Sequence, residues 1–348
     1  MAQSKKKITK NKIKWGIVGL GRQAEKMALA IRSSNNGLLV SVASKNEERA
    51  SLFAKQFSVP RYESDYSKLL NDPEIDVIFV ASSNAEHYEH ALKALKAGKH
   101  VLCEKPMAVT VQEGRKMIEI ASKHNLKLGV GYHLRHHPIH QKARDMIAKG
   151  DLGKLILTQI NWSVGTHGET ETKPYEGYMK WRDDMKKSGG GALTARGTHI
   201  FDLIYFLTGK ETKEIMAYTD IEKKRPVDTL AVGMLKMEGG LVAVVSTSRR
   251  IPYSLNEVII YGSHGRLTLH DTLTTDSSGE LEFKSGDKII RAHYPKKNVY
   301  QKEIEDFGDE IKHKKNNSAT GTDGLRAITI TKAFIDSSRT KKAISIKI

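Results

Sequence analysis

The sequence predicts two domains of different fold class, an α/β domain with a doubly wound parallel sheet followed by an α+β domain with an antiparallel sheet. The 348 residues exceed the roughly 100 to 200 that one domain usually holds. Strand and helix patterns alternate in the first part, whereas strand patterns from Leu155 onward follow one another without intervening helices. The predicted division is a basic tail at 1–13, a first domain at 14–134 and a second at 135–348.

The composition is that of a soluble globular protein, with 39% hydrophobic and 28% charged residues. No run approaches the roughly 18 apolar residues that a membrane span needs, and the first residues lack the apolar core of a signal peptide. The single cysteine, Cys103, lies in an apolar strand pattern and is expected to be a core residue in a reducing compartment. We therefore predict a cytoplasmic protein without a membrane partner.

The net charge of +17 raises the question of nucleic-acid binding. Such binding favours basic residues concentrated on one element and interleaved with aromatic residues. Here most of the excess is scattered in lysine pairs, at 186–187, 223–224, 296–297, 314–315 and 341–342. We predict no nucleic-acid partner, interpret the lysine-rich leader as a disordered tail, and retain the possibility that the field attracts anionic substrates.

A buried strand, a glycine turn and a helix open the first domain. The strand Trp15–Val18 leads into a turn and a helix start formed by Gly19, Leu20, Gly21, Arg22, Gln23 and Ala24. Glycine lets the backbone approach a pyrophosphate closely, and a helix amino terminus offers free N–H groups and a positive dipole end. The turn between a strand and a helix predicts dinucleotide binding, although such turns also occur without a ligand.

The end of the next strand, 38–43, is the expected place of the cofactor selector. An acidic residue there would bind the ribose of NAD, but the chain has Ser44 and Lys45. A hydroxyl and a cation favour the 2′-phosphate of NADP, and Arg22 would add a second cation. Two alternatives remain, that Lys45 is simply exposed and that Glu47 restores NAD binding.

The next elements deliver further candidate residues to the carboxyl ends of the strands. The loop after strand 75–81 contains Ser82, Asn84 and His87, which would contact the cofactor or cap the next helix. The strand His100–Cys103 ends at Glu104-Lys105-Pro106, and the proline holds Lys105 extended, with a cis bond predicted. The alternative is a surface turn with an ion pair. The other predicted elements are helices at 47–56, 65–70, 90–97 (ended by Gly98) and 111–123, and a strand at 126–131.

Four segments resemble, in order, those of the Gfo/Idh/MocA oxidoreductases. The segments are Gly19-Leu20-Gly21, the loop 84–87, the run Gly98-Lys99-His100-Val101-Leu102-Cys103-Glu104-Lys105-Pro106, and Gly131-Tyr132-His133-Leu134-Arg135-His136-His137-Pro138. The resemblance covers about residues 13 to 346. It implies a Rossmann domain binding NAD(P), a second domain with a large open, mainly antiparallel sheet, and hydride transfer on sugars or polyols. We also expect a homo-oligomer, a dimer or tetramer formed through that sheet.

The second domain is predicted to start with an amphipathic helix at 139–150. The strand candidates are 155–164, 214–220, 229–237, 241–246, 256–261 and 266–270, with 262–265 as a hairpin turn. The closing segment from Gly321 is predicted to form a helix through Ser338. No metal site is predicted.

A triple glycine at 189–191 predicts a loop whose backbone approaches a ligand, and an apolar helix follows it. His199 lies at the start of that helix, where a histidine alone is more often a cap or a core residue. The resemblance implies that His199 hydrogen-bonds the substrate hydroxyl and can take part in proton transfer. We expect Lys105 to be its partner in that transfer. One departure stands out, because the aspartate that the family often has four residues earlier is Ala195 here.

The remaining substrate-site candidates are Tyr132, Arg135, Trp181, Arg182 and Arg196. The three arginines suggest a substrate with a carboxylate or phosphate, although Arg196 would equally pair with Asp183 or Asp202. Three functions remain open: an NADP-linked sugar or polyol oxidoreductase, which is favoured; a non-catalytic cofactor-sensing regulator, suggested by Ala195; and a redox-assisted lyase or glycosidase with transient hydride transfer.

Overall fold

The computed structural model describes residues 12–168, 172–313 and 318–347, and it divides the chain into two compact units. The first unit contains the chain up to Tyr132 together with Tyr300–Leu325, and the second contains His133–Val299 and Arg326 onward. The predicted tail lies outside the described residues up to residue 11. Within the described residues, no helix is both long and apolar enough to cross a membrane.

The first unit is the predicted doubly wound sheet. Its parallel strands are β1 (Ile13–Val18), β2 (Gly37–Ala43), β3 (Arg61–Glu63), β4 (Val77–Val80), β5 (His100–Cys103) and β6 (Leu128–Val130). The short strand Ala319–Thr320 adds an antiparallel edge, and the order is Ala319–Thr320, β6, β5, β4, β1, β2, β3. The order reverses between β1 and β4, so ligands are expected at the carboxyl ends of these two strands.

Helices connect the strands of this sheet in the predicted order. They are α1 (Arg22–Ser33), α2 (Glu47–Phe57), α3 (Tyr66–Asn71), α4 (Asn84–Lys96) and α5 (Val111–Lys123). Gly98 has a φ of 77°, which confirms the predicted left-handed end after α4. Cys103 is fully buried, and burial raises the pKa of its thiol, so it is the predicted core residue.

After most of the second unit, the chain returns to the first unit. The predicted boundary assigned all of 135–348 to the second domain, whereas Tyr300–Leu325 belongs to the first unit. The reason is packing: Ile304 and Phe307 are fully buried, and the ring of Phe307 lies 5.9 Å from that of Trp15 in β1. The helix that carries them, which the sequence did not predict, spans Val299–His313.

The second unit contains a sheet of nine strands. Its named strands are β7 (Leu155–Ser163), β8 (Thr212–Thr219), β9 (Leu230–Met237), β10 (Val242–Ser248), β11 (Val258–Gly262), β12 (Arg266–His270), β13 (Glu280–Ser285) and β14 (Lys288–His293). The order is β14, β13, β12, β11, β7, β10, β9, β8 and the short strand Ile344–Ser345. The β7 and β10 pair is parallel and the others are antiparallel, which confirms the predicted sheet class.

Helices of the second unit pack on one face of this sheet. The unit contains α6 (Pro138–Ala148), α7 (Met185–Ser188) and α8 (Thr198–Thr208), and the later helix α10 spans Gly321–Thr340, with α9 being Val299–His313. A Cβ at Gly233 in β9 would lie 2.6 Å from the Phe334 ring, so glycine permits the close approach of α10. The alternating burial of β9 leaves Val232 and Met234 on the opposite, exposed face.

Buried histidines support the amino-terminal end of α6. His140 is completely buried, with Nδ1 2.8 Å from the Leu134 carbonyl oxygen and Nε2 2.9 Å from Thr272 Oγ1. Burial, together with the charges of His137 and His133, lowers the pKa of His140 to about 3. The folded protein therefore holds this ring neutral where the unfolded chain would protonate it.

Acidification should destabilise the protein partly through His140. Its pKa is lowered from 6.5 to about 3, so its contribution to stability is complete above the unfolded pKa and is lost as the pH falls. Between about pH 7 and pH 5 we expect wild-type unfolding free energy to fall by about 2 kcal/mol more than that of His140→Gln. Denaturant unfolding at both pH values measures this difference. The exposed His124→Gln is the control, and an identical pH dependence in wild type and His140→Gln would contradict the assignment.

Candidate functional site

The glycine turn between β1 and α1 forms an open cradle. Gly19 has a φ of 84°, and a Cβ there would lie 2.4 Å from the backbone nitrogen of Ser82, so the turn requires glycine. Gly21 precedes α1 without any side-chain cap, and a Cβ at Gly21 would meet no atom within 4 Å. The space beside Gly21 is thus open and the first N–H groups of α1 have no side-chain cap, which fits a pyrophosphate. Leu20 is buried in the core of the first unit.

Polar groups follow the end of β2, as predicted. Ser44 Oγ accepts a hydrogen bond from the Asn46 N–H at 3.2 Å, and the Asn46 side chain caps α2. The Lys45 side chain is 87% exposed, with Nζ 3.6 Å from Glu86 Oε1. An exposed ion pair of this kind contributes about 0–1 kcal/mol, so Lys45 can exchange Glu86 for a phosphate. Arg22 is also exposed, at the start of α1.

The segment after β4 differs from the predicted loop. Helix α4 already begins at Asn84, and Ser83 rather than Asn84 is the N-cap, in a capping box with Glu86. Asn84 is therefore a first-turn residue, half-buried like Ser82. The loop prediction failed because the polar residues at 82–87 are those that both loops and helix starts favour.

His87 has a different position from the predicted cofactor contact. It is 1% exposed, with Nδ1 2.7 Å from the Pro106 carbonyl oxygen and Nε2 3.0 Å from that of Ser82. Burial lowers its pKa to about 4, so the ring is neutral and only one of its nitrogens donates. His87 links the end of β4 to the peptide of Pro106, which positions the neighbouring Lys105.

Lys105 lies directly after β5 and is half-buried, and the Lys105–Pro106 bond is cis, as predicted. Its N–H donates to Glu104 Oε2 at 3.1 Å. Burial raises the pKa of the Glu104 carboxyl to about 7, against the opposing charges of Lys105 and Lys26 and a hydrogen bond with Gln23. Gln23 also bonds Tyr300. The Glu104 carboxyl, next to Lys105 in the chain, is thus held in place by residues of α1 and α9.

In the second unit, His199 occupies the first turn of α8 after a π-helical turn, Leu193–Gly197. It is 5% exposed, and its ring centroid lies 4.8 Å from that of His133 and 5.6 Å from that of Trp162. Neither His133 nor Trp162 is among the predicted site residues. The signal that could have identified His133 is its position in the segment 131–138, which resembles a family motif. Nothing in the sequence of β7 distinguishes Trp162.

The triple glycine packs against protein rather than facing a ligand. A Cβ at Gly191 would lie 1.8 Å from the Asp228 carbonyl oxygen. The fully buried Asp228 carboxyl accepts the N–H groups of Gly191 at 2.7 Å and Leu193 at 2.6 Å. The glycines therefore serve to admit Asp228, which in turn fixes the start of the π-helical turn before His199.

The predicted substrate residues fall into two groups. Arg135 forms a buried, bidentate ion pair with Asp202 at 2.8 and 2.6 Å, so its guanidinium is committed to structure and the prediction of a substrate contact is corrected. Tyr132 is 1% exposed at the end of the first unit's segment. The others are half-buried, namely Trp181, Arg182 and Arg196, and the guanidinium carbon of Arg182 lies 4.9 Å from the centroid of the Trp181 ring.

Across 12–168, 172–313 and 318–347, no cluster of three metal-ligating side chains occurs.

Comparison with known proteins identifies both parts of the chain. Residues 13–132 match the profile described as "Oxidoreductase family, NAD-binding Rossmann fold", and residues 140–268 match that of the GFO/IDH/MocA C-terminal domain. The 1,5-anhydro-D-fructose reductase of Ensifer adhaerens is 25% identical over 96% of this chain and 98% of its own. The myo-inositol 2-dehydrogenase of Thermotoga maritima is 26% identical over 95% and 98%.

Solved structures share the whole fold. The aldose-aldose oxidoreductase of Caulobacter crescentus, crystallised with glycerol, superimposes with a TM-score of 0.85 at 22% identity. The match covers 96% of this chain and 100% of that one.

Proposed function

The chain belongs to the Gfo/Idh/MocA oxidoreductase family, and on that premise we propose that it is an NAD(P)-dependent oxidoreductase acting on the CH–OH group of a sugar or polyol. The observation that carries this proposal is the pairing of two features of one sheet. The open glycine cradle follows β1, and Lys105 follows β5, two strands away in the sheet order. Relatives named as acting on anhydrofructose and myo-inositol support the substrate class.

The residues of the first unit fit a dinucleotide. Gly19 and Gly21 leave room for the pyrophosphate at the uncapped start of α1, and the strand order reverses at that position. When bound, the nicotinamide supplies the acceptor or donor of the hydride. The protein has to bind it, orient the substrate carbon and exchange one proton with the substrate oxygen.

Lys105 is the proposed group for that proton. In the direction of oxidation, its amine takes the hydroxyl proton as the hydride leaves the adjacent carbon, and in reduction its ammonium returns the proton. Glu104 stabilises the ammonium form, and His87 fixes the peptide that follows the lysine. His199 of the second unit, which lies beside the rings of His133 and Trp162, is proposed as a group that hydrogen-bonds a hydroxyl of the substrate.

Replacement of Lys105 by methionine should strongly lower turnover and spare cofactor binding. Loss of the general base is expected to lower kcat by about 10²- to 10⁴-fold, because a proton-transfer group contributes roughly that factor. Turnover is followed by the absorbance of the reduced nicotinamide over a panel of sugars and polyols, and cofactor affinity by fluorescence titration. The exposed Lys96→Met is the matched control. Full activity of Lys105→Met would contradict the role of Lys105. If wild type does not reduce the nicotinamide with any of the substrates, the oxidoreductase proposal is contradicted.

The preferred cofactor is proposed to be NADP. Three features support this preference: no carboxylate follows β2 directly, Ser44 and Lys45 do, and Arg22 is exposed at the cofactor turn. Glu86 opposes it, since its carboxylate lies near Lys45, but that exposed pair is weak. A 2′-phosphate, with about two negative charges, would compete well for Lys45.

A charge reversal at Lys45 tests this preference. We expect wild type to bind NADP at least about tenfold more tightly than NAD, and Lys45→Glu to lose most of that difference by weakening NADP alone. Titration of both cofactors with wild type and variant gives the four dissociation constants. Lys96→Glu, the same change on α4, should leave them unaltered. Tighter binding of NAD to wild type would show the proposal to be wrong.

A homo-oligomer formed through the exposed face of the second unit's sheet is also proposed. Met216 of β8 pairs with Met234 of β9, and Tyr218 pairs with Val232. All four side chains are on the exposed face, with Met234 53% and Tyr218 62% exposed. An apolar patch on a regular sheet favours burial against a second copy of itself.

A glutamate in this patch should separate the subunits. We expect wild type to have at least twice the mass of one chain by light scattering, and Met234→Glu to have the mass of one chain, because an interface would bury the carboxylate without a partner. Leu255→Glu, at a loop residue that is 70% exposed, is the control. A wild-type protein that remains a single chain at all concentrations would contradict the proposal.

A further inference from the structure

Three arginines of the second unit gather around one tyrosine. The guanidinium carbon of Arg249 lies 4.2 Å from the centroid of the Tyr175 ring, and that of Arg182 lies 5.8 Å from it. Arg196 is the third arginine, close enough to Arg249 and Arg182 for their charges to act on its guanidinium. We call Tyr175, Arg182, Arg196 and Arg249 the arginine cluster.

No carboxylate neutralises this cluster within the part of the chain that the structure describes. The nearby acids have other partners: Asp202 pairs with Arg135, Asp220 with Arg225 and Arg250, and the Asp183 carboxylate accepts the N–H of Tyr175 at 2.6 Å. Arg182, Arg196 and Arg249 form no ion pair within 4.0 Å with a described acidic residue. Among the described residues, three like charges are therefore held together without a compensating carboxylate.

Two nitrogen atoms of the cluster are buried without an acceptor. Arg196 Nη1 and Arg182 Nε are shielded from solvent and make no hydrogen bond with a described residue. Burial, with the charges of Arg249 and Arg182 acting in the same direction, lowers the pKa of Arg196. Buried guanidinium N–H groups are strong donors, and leaving them unsatisfied is unfavourable. An oxyanion would satisfy these donors and the surplus charge together.

The cluster adjoins His199 along the chain and across the sheet. Arg196 lies in the π-helical turn three residues before His199. Arg249 directly follows β10, in which Thr247 pairs with Trp162, and the ring of Trp162 lies 5.6 Å from that of His199. A molecule bound at His199 thus has the arginine cluster beside it.

We propose that the arginine cluster binds an anionic group of the substrate, so that the enzyme acts on a sugar carrying a carboxylate or phosphate. The claim that the anion belongs to a substrate rests on the proposed function, whereas the claim that the cluster binds an anion does not. The two sources share one chemistry, a set of oxygen atoms that accepts hydrogen bonds from planar guanidinium groups. Arg249 and Arg196 would carry most of the recognition, and neutral sugars would lose these contacts.

Binding of the anion alone tests the site without turnover. Inorganic phosphate is titrated into full-length wild type, Arg196→Gln and Arg249→Gln at constant ionic strength with chloride as the balancing anion, and calorimetry and thermal midpoints are recorded. We expect saturable binding to wild type, weakened at least about tenfold in each variant, since a charge-assisted contact contributes about that factor. Saturating NADP keeps phosphate from the start of α1. Arg291→Gln, at an exposed arginine of β14 paired with Glu282, is the control.

The thermal midpoints distinguish a ligand site from a structural one. Without phosphate, each glutamine variant should be at least as stable as wild type, because it relieves repulsion, and with phosphate wild type should be the more stable. Equal phosphate binding by wild type and both variants, or no binding beyond that of chloride, would overturn the proposal.

The substrate class follows from kinetics with matched sugars. A hexose, its uronic acid and its 6-phosphate are compared, and kcat/KM for one or both anionic forms should exceed that of the neutral hexose, with the excess lost in Arg249→Gln. Equal kcat/KM for the three in wild type would overturn the inference while leaving the oxidoreductase proposal intact. No turnover with any sugar would count against the proposed function, while the phosphate titration would still decide the binding site.

Discussion

The parallel pairing of β1 with β4 is the constraint on which the first unit depends. It brings Gly19 against the backbone of Ser82 so closely that no side chain fits between them. The same pairing sets the start of α1 beside the start of α4, and β5, paired to β4, adds Lys105 to that edge of the sheet. One contact between two strand ends thus places the turn, the helix termini and the lysine relative to one another.

Much of this arrangement was predictable, because its signals are local. The strand His100–Cys103 and the helix Val111–Lys123 were predicted to the residue, since glycine, proline and a capping threonine bound them. The helix Val299–His313 was missed because its buried residues are defined by a strand almost 300 positions earlier in the chain. The strand Lys288–His293 was missed for the opposite reason: nearly all of its residues are exposed and carry no apolar alternation.

The candidate site shows the same division between local and tertiary information. Lys105 and His199 stand out in the sequence, but what surrounds each of them does not. Nothing local indicates that Gln23 and Tyr300 converge on Glu104. Nor does anything local indicate that Asp202 pairs with Arg135, which leaves Arg196 without a carboxylate partner among the described residues. The sequence alone does not distinguish these arginines. Only the fold shows that Arg135 forms a structural ion pair whereas the others belong to the arginine cluster.

The return of the chain to its first sheet has a consequence for how such a protein can be recombined. Trp15, in the first strand, is covered by Phe307 from a helix encoded more than 290 residues later. A gene fragment ending at Tyr132 would encode the strands and the glycine turn but leave the indole ring without its cover. Shuffling the two halves of related genes would combine Trp15 from one parent with the helix Val299–His313 from another. Segments that pack against each other, and so have to be inherited together, are therefore far apart in the gene.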